Sequence, residues 1–174
     1  MLAGDPSAAS SPFPGRLDHI GIAVWDLSSG SRFWGDLLGG QYRQGDADWH
    51  GFAFLQFAFP GGGRVELLAP GSDTSGFVVT FLRRFGEGLH HITFVVENLR
   101  TQVARFSAAG YNVFGEDYGD PHWMEAFVSP RLVGGRLLVQ LAQSNLTIEE
   151  QDRTLGAKPL ASVLKAAALR PDLK

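Results

Sequence analysis

The 174-residue chain contains no cysteine, which removes disulfide staples, thiolate metal ligands and cysteine nucleophiles together. It has no excess of charge of one sign. Asp and Glu total 18 against 15 Lys and Arg, for a formal net charge of -3, and the two signs are interspersed. No basic stripe is present to neutralise a nucleic-acid backbone or an anionic membrane surface, so neither partner is expected. Long hydrophobic runs are also missing; nothing approaches the ~20 apolar residues of a membrane span. The N-terminal MLAGDPSAASSPFPG has neither a basic n-region nor an apolar h-region, so residues 1–15 read as a flexible Ser/Ala/Pro/Gly tail and not as a signal peptide. A cysteine-free chain without signal or span is expected in the cytoplasm.

What is present is an ordinary globular composition, 44% hydrophobic and 19% charged, arranged as a repeat. LDHIGIAVWDL (17–27) aligns with LHHITFVVENL (89–99), His19 falling on His91 at an offset of 72 residues (91 − 19). A helical pattern follows each: SSGSRFWGDLLGG, with Phe33, Trp34, Leu37 and Leu38 at helical spacing, and RTQVARFSAAGY, with Val103, Phe106 and Ala109. Each ends on glycine, a helix stop. Three strand-like runs then follow in each half: around 40–44, FAFLQFAF (52–59) and RVELLA (64–69), and around YNVFG (111–115), MEAFVS (124–129) and RLLVQLA (136–142). Each half therefore reads β-α-β-β-β. The expected boundaries are 16–73 and 88–143 for the modules, 74–87 for a linking helix in TSGFVVTFLRRFG, and 144–174 for a C-terminal helical extension that opens on the capping-box pattern TIEE.

Strand alternation turns the repeat into chemistry. His19 and His91 are expected on the same relative face of their modules, with Asp18 and His90 on the opposite one. The last strand of each half carries a polar residue in an apolar run, Glu66 in RVELLA and Gln140 in RLLVQLA, 47 and 49 residues after the module's histidine (66 − 19 and 140 − 91). Paired about a pseudo-twofold axis, His19, Glu66, His91 and Gln140 converge, and imidazole plus oxygen suits a divalent ion such as Zn, Ni, Co, Mn or Fe. A single strand His or Glu is more often a packed or solvated residue. A buried carboxylate and two buried imidazoles at matched positions need partners or a metal.

At these residues the chain resembles the vicinal oxygen chelate superfamily, which includes glyoxalases, bleomycin-resistance proteins and dioxygenases, and most nearly its methylmalonyl-CoA epimerase and glyoxalase-like branch. The matching stretches are LDHIGIAVWDL, VELLAP, FLRRFGEGLHHITFVV and LLVQLAQ, spread over residues 16–143. The resemblance implies an α+β fold of two paired βαβββ modules forming a cupped mixed sheet around a metal site, with His19, Glu66, His91 and Gln140 as ligands. It implies a divalent-metal-dependent isomerase or lyase acting through a metal-stabilised enolate on a small molecule, an acyl-CoA thioester being one candidate. A homodimer is compatible with it.

Two departures matter. The family's usual carboxylate at the Gln140 position is here an amide. Its usual acid, five residues ahead of the proline closing the strand before VELLAP, is here Leu55 before Pro60. Five residues ahead of Pro130 stands Glu125, so the second module carries an acid where the first lacks one. Amide and carboxylate have then exchanged modules, and Glu66 and Glu125 are the expected acid–base pair. Two other functions stay open: an Fe(II)-dependent dioxygenase on a two-histidine-one-carboxylate face, and a non-catalytic, resistance-type small-molecule binding protein. A pocket lined by aromatics of FAFLQFAF and by the HWMEAF strand is expected beside the metal; His50, His122 and Gln56 read as loop or cavity residues.

Overall fold

The computed structural model describes residues 13–132, 137–154 and 158–168; most of the tail (1–12) and Arg136 lie outside the described residues. The strands are β1 (Gly15–Ala23), β2 (Gln41–Trp49), β3 (Phe52–Ala58), β4 (Arg64–Pro70), β5 (Gly88–Val96), β6 (Val113–Asp117), β7 (Met124–Val128) and β8 (Leu138–Gln143). The helices are α1 (Leu27–Ser31), α2 (Phe77–Phe85), α3 (Leu99–Ala108), α4 (Ile148–Thr154) and α5 (Leu160–Ala167).

All eight strands form one mixed sheet in the order β2-β3-β4-β1-β5-β8-β7-β6. This is the repeat in three dimensions. In each half the first strand pairs parallel with the last, β1 with β4 and β5 with β8, and the halves join where β1 and β5 run antiparallel. The result is the cupped α+β sheet expected from the sequence. Odd-numbered residues of β3 and β4 face one core: Leu55, Phe57, Val65 and Leu67 pack with Leu27 of α1 and Val163 of α5. A second cluster sets Val128 and Leu141 against α3. Each fully buried leucine or phenylalanine there contributes about 1.5–3 kcal/mol. The opposite face carries Arg64, Glu66 and Leu68 along β4. At its far end Leu68 and Ala23 are covered by Val78 and Leu82 of α2.

Local departures from regular geometry shape the site. The helix after β1 begins as α1, capped by the Asp26 carboxylate on Ser28 N, but continues as a π-helical turn over Arg32–Leu37, with Leu38 N bonded to Phe33 O five residues back. The wider winding breaks the 3.6-residue stripe. Phe33, Leu37 and Leu38 are therefore exposed, and of the four apolar residues expected on one face only Trp34 packs on the core. The more consequential irregularities are in the β1–β5 pairing. Leu17 pairs Phe94 and His19 pairs Thr93, leaving Asp18 as an extra residue; Gly21 pairs His91 and Ile22 pairs Leu89, leaving His90 as an extra residue. Each module thus carries a bulge at the residue before its histidine, and bulges re-aim side chains.

After β8 the chain forms the expected capping box: Glu150 N donates to Thr147 Oγ1 (3.2 Å), and Thr147 N donates to Glu150 Oε2 (2.8 Å). Helix α4 follows, with Asp152 reaching β2 and β4, and α5 packs on the core side. Among the described residues no helix is long and apolar enough to cross a membrane.

Candidate active site

His19 on β1, Glu66 on β4 and His91 on β5 meet at the seam between the modules. His19 Nε2 lies 3.2 Å from His91 Nε2, and Glu66 Oε2 lies 3.6 Å from each. Both histidines are buried, at 2% and 6% exposure. These separations place a point about 2.0 Å from all three atoms, the ligand distance of zinc and similar ions.

The tautomers make the same point. The Asp18 carboxylate can only accept, so His19 Nδ1 donates to Asp18 Oδ2 at 2.9 Å and Nε2 is left with its lone pair unless the ring is cationic. His91 Nδ1 faces His90 Nδ1 at 3.0 Å, and one of them must hold the proton. With that proton on His91, its Nε2 also presents a lone pair. Two imidazole lone pairs and a carboxylate oxygen then face one another, an arrangement that calls for a cation. Burial by itself lowers the His19 pKa, but Glu66 and Asp18 outweigh it and hold it above 6.5. Burial, together with His19 and His90, holds His91 well below 6.5. The site is therefore anionic around one ring and closed to a second proton on the other, which suits a divalent ion.

The bulges overturn one sequence expectation. Asp18 and His90 do not face away from the histidines; each is turned back to hydrogen-bond its own module's imidazole. Alternation fails there because each is the extra residue in the ladder. Asp18 is in turn held by Arg16 Nη1 at 2.6 Å. Burial raises its carboxyl, but His19 and then Arg16 prevail and keep it below 3.8. His90 also packs on Phe77 and Phe81 of α2, with ring centroids 5.4 and 4.8 Å away, and burial lowers its pKa to about 4. Carboxylate–histidine and histidine–histidine pairs of this kind fix the tautomer and aim of a metal-binding ring.

Both polar atoms of the Gln140 side chain are engaged beside the triangle. Its Oε1 accepts from Thr93 Oγ1 at 2.5 Å, and Thr93 Oγ1 is 3.0 Å from His19 Nε2; its Nε2 donates to Glu125 Oε2 at 2.6 Å. Gln140 thus links His19, through Thr93, to Glu125, which also accepts from Trp123 Nε1 at 3.1 Å. Burial raises the Glu125 pKa above 4.5 against these two hydrogen bonds, and the charges of Asp117 and Glu66 add to the rise.

Pairing register corrects the counterpart of Glu125. Glu66 pairs Gln56 and Gln140 pairs Phe127; Leu68 pairs Phe54 and Ala142 pairs Glu125. The first-module counterpart of Glu125 is therefore Phe54. Leu55 corresponds to Ala126, and both face the helix-covered core at 0% exposure. Counting back from the two prolines is off by one because it measures the turn and not the ladder.

The sequence did not single out Thr93 or Gln44, and it offered Gln56 only as a loop or cavity residue. Gln44 Nε2 donates to Gln56 Oε1 (2.7 Å), and Gln56 Nε2 donates to Glu66 Oε1 (3.0 Å), so an amide chain holds Glu66 from the module's edge. Thr93 was legible in retrospect: it is the repeat counterpart of Gly21, two residues beyond the histidine. His50 and His122 lie in loops, His122 Nδ1 bonding Asn145 Oδ1. A described cavity of about 510 Å³ lies at the first module's strand ends, among Leu17, His19, Trp34, Phe59 and Arg64, and takes no residue from the HWMEAF strand.

Comparison with known proteins agrees with this fold. The sequence model of the Glyoxalase/Bleomycin resistance protein/Dioxygenase superfamily matches residues 18–127. The chain is 31% identical to the mitochondrial methylmalonyl-CoA epimerase of Mus musculus over 138 residues, 75% of this chain and 74% of that protein. The crystal structure of methylmalonyl-CoA epimerase from Mycobacterium tuberculosis matches with a TM-score of 0.68 at 28% identity, covering 84% of this chain and 94% of that one. A variant of the Streptomyces coelicolor methylmalonyl-CoA epimerase, solved in complex with 2-nitronate-propionyl-CoA, matches with a TM-score of 0.64 at 26% identity over 75% of this chain and 98% of that one.

Proposed function

The chain belongs to the glyoxalase/bleomycin resistance protein/dioxygenase superfamily, and we propose that it is a divalent-metal-dependent epimerase of an acyl-CoA thioester whose α-carbon carries an acidic hydrogen. The observation that carries this reading is the convergence of His19 Nε2, His91 Nε2 and Glu66 Oε2, with the Glu125 carboxylate suspended nearby from Gln140. The epimerase relatives support it.

His19, His91 and Glu66 would hold the ion, with Gln140 beside them. Bound there, it supplies fixed positive charge next to the oxygen on which an enolate's charge develops. Epimerisation needs a base on one face of the carbon and an acid on the other. Glu125 takes the α-hydrogen: burial has raised its basicity, and Trp123 and Gln140 fix its direction. Glu66, in the first module, would enter the cycle protonated, deliver that proton to the opposite face of the carbon and leave it as the carboxylate, with Gln56 Nε2 fixing the direction of its Oε1. The acid and the base thus come from different modules, at positions that are not repeat counterparts.

Solvent deuterium tests it. Purified protein with methylmalonyl-CoA in D₂O is expected to incorporate deuterium at the α-carbon with inversion, and a chelator to stop both. No exchange with any malonyl-type thioester, at full metal occupancy, removes the reading. The His₂Glu ligand set is also that of Fe(II) oxygenases; oxygen consumption by the iron-loaded protein in place of exchange would favour that chemistry.

A further inference from the structure

Arg64 stands two residues before Glu66 on β4, on the same face and about 7 Å along the strand. It is 6% exposed. Arg64 Nη2 donates to Asp152 Oδ1 at 3.2 Å, while Nη1 is buried with no hydrogen-bond partner. Arg43 of β2 brings a second guanidinium, its Nε 3.7 Å from Asp152 Oδ2 and likewise without a hydrogen-bond partner. One carboxylate, from a helix outside both modules, therefore serves two guanidinium groups and leaves one buried donor of each without a hydrogen bond. A buried guanidinium is retained at a cost unless its donors are paired, and its fork matches bidentate carboxylate or phosphate oxygens.

We propose that Arg64 and Arg43 form an anion subsite adjoining the His19–Glu66–His91 cluster, that it takes a carboxylate or phosphate of the substrate, and that Asp152 is its intramolecular occupant, making α4 a displaceable cap. With Asp152 in place the cluster carries one net positive charge; with α4 lifted it carries two, enough to hold a dianion. The inference rests on the thioester reading only for the natural ligand, because malonyl-type thioesters carry both a free carboxylate and CoA phosphates. The site itself is defined by these three side chains.

Calorimetric titration of the full chain with malonate and with inorganic phosphate separates the sources. Asp152→Asn keeps the size of the side chain and removes the competing charge. It is expected to bind one of the two probes about tenfold or more tighter than wild type, since an occupied subsite lowers apparent affinity by its free fraction. A gain with malonate assigns the subsite to a carboxylate, and a gain with phosphate to a phosphate. Adding Arg64→Gln abolishes the gain. Arg43→Gln, at a partly exposed side chain, reduces it and serves where the Arg64 variant does not fold. Equal affinities in wild type and Asp152→Asn overturn the proposal, as does a gain that survives loss of both arginines. Neither probe is a thioester, so failure here leaves the epimerase reading standing, and absence of turnover leaves the subsite test intact.

Discussion

Gly21 offers a way to break the proposed metal site without touching a ligand. It pairs with His91 across the β1–β5 seam, and the His91 ring lies over it. A Cβ at Gly21 would meet His91 Cε1 at 2.1 Å, Nδ1 at 2.2 Å and Nε2 at 2.7 Å. Non-bonded carbons settle at about 3.5–4.0 Å, so in Gly21→Ala the ring must retreat by about 1.4 Å or more. Metal–ligand distances tolerate about 0.2 Å. The ring's present place is held by His90 on one nitrogen and faces His19 and Glu66 on the other, so retreat takes Nε2 out of the triangle. Alanine is intrinsically better than glycine in a strand by about 0.5–1 kcal/mol, while overpacking costs about 1–3 kcal/mol. The fold therefore loses at most about 2.5 kcal/mol, a Tm drop of no more than about 10 °C. Metal affinity falls by at least a comparable free energy: perturbing a ligand's supporting residue costs about 10–100-fold, about 1.4–2.7 kcal/mol, and displacing the ligand itself is expected to cost no less than the top of that range. Competition against a chelator, with circular dichroism as the folding check, measures both. A Gly21→Ala protein that binds metal with wild-type affinity would refute the placement of His91 as a ligand.

His91→Ala is expected to abolish metal uptake by elemental analysis, while His90→Phe, which keeps the packing on α2 but removes the Nδ1 partner, lowers affinity about 10–100-fold; an unchanged His90→Phe would show that the His90–His91 contact does not aim the ring. Glu125→Gln retains an acceptor for Trp123 and Gln140, so Tm should move by only a few degrees, yet thioester inversion should fall by about 10²–10⁴ with metal content unchanged; full-rate inversion by this variant ends its assignment as the base. Gln140→Glu places a second carboxylate against Glu125, where the present contact is 2.6 Å, and is expected to impair activity alone. Combined with Glu125→Gln it exchanges amide and carboxylate across one hydrogen bond, and inversion should recover at least about tenfold over Glu125→Gln.

Much of the architecture was legible because the repeat states it twice. An offset of 72 residues, two histidines and two polar interruptions of apolar strands were enough to pair the modules and to bring His19, Glu66 and His91 together. Where the reading failed, a local conformation intervened that composition does not announce. Phe33, Leu37 and Leu38 have helical spacing, but the turn that carries them is wound as a π-helix and turns them to solvent. Leu55 lost its assumed role because proline marks the end of a strand without fixing its register.

The bulges explain why a two-residue motif is needed at each histidine. A regular strand would give each imidazole a neighbour on the wrong side of the sheet, and the ring would depend on another strand for its second hydrogen bond. With one extra residue in the ladder, the preceding side chain comes round to the ring nitrogen itself, so Asp18–His19 and His90–His91 are each self-contained supports. The supports differ in charge. Asp18 adds a negative charge behind His19, strengthening it as a donor to a cation, whereas neutral His90 adds none behind His91. The first module thus carries both the charged support and the carboxylate of the proposed metal site, and the second carries Gln140 and the buried acid Glu125. That division places charge attraction for a cation on one side of the seam and a carboxyl of raised basicity on the other, which is what an ion-assisted proton transfer requires of a single small cup.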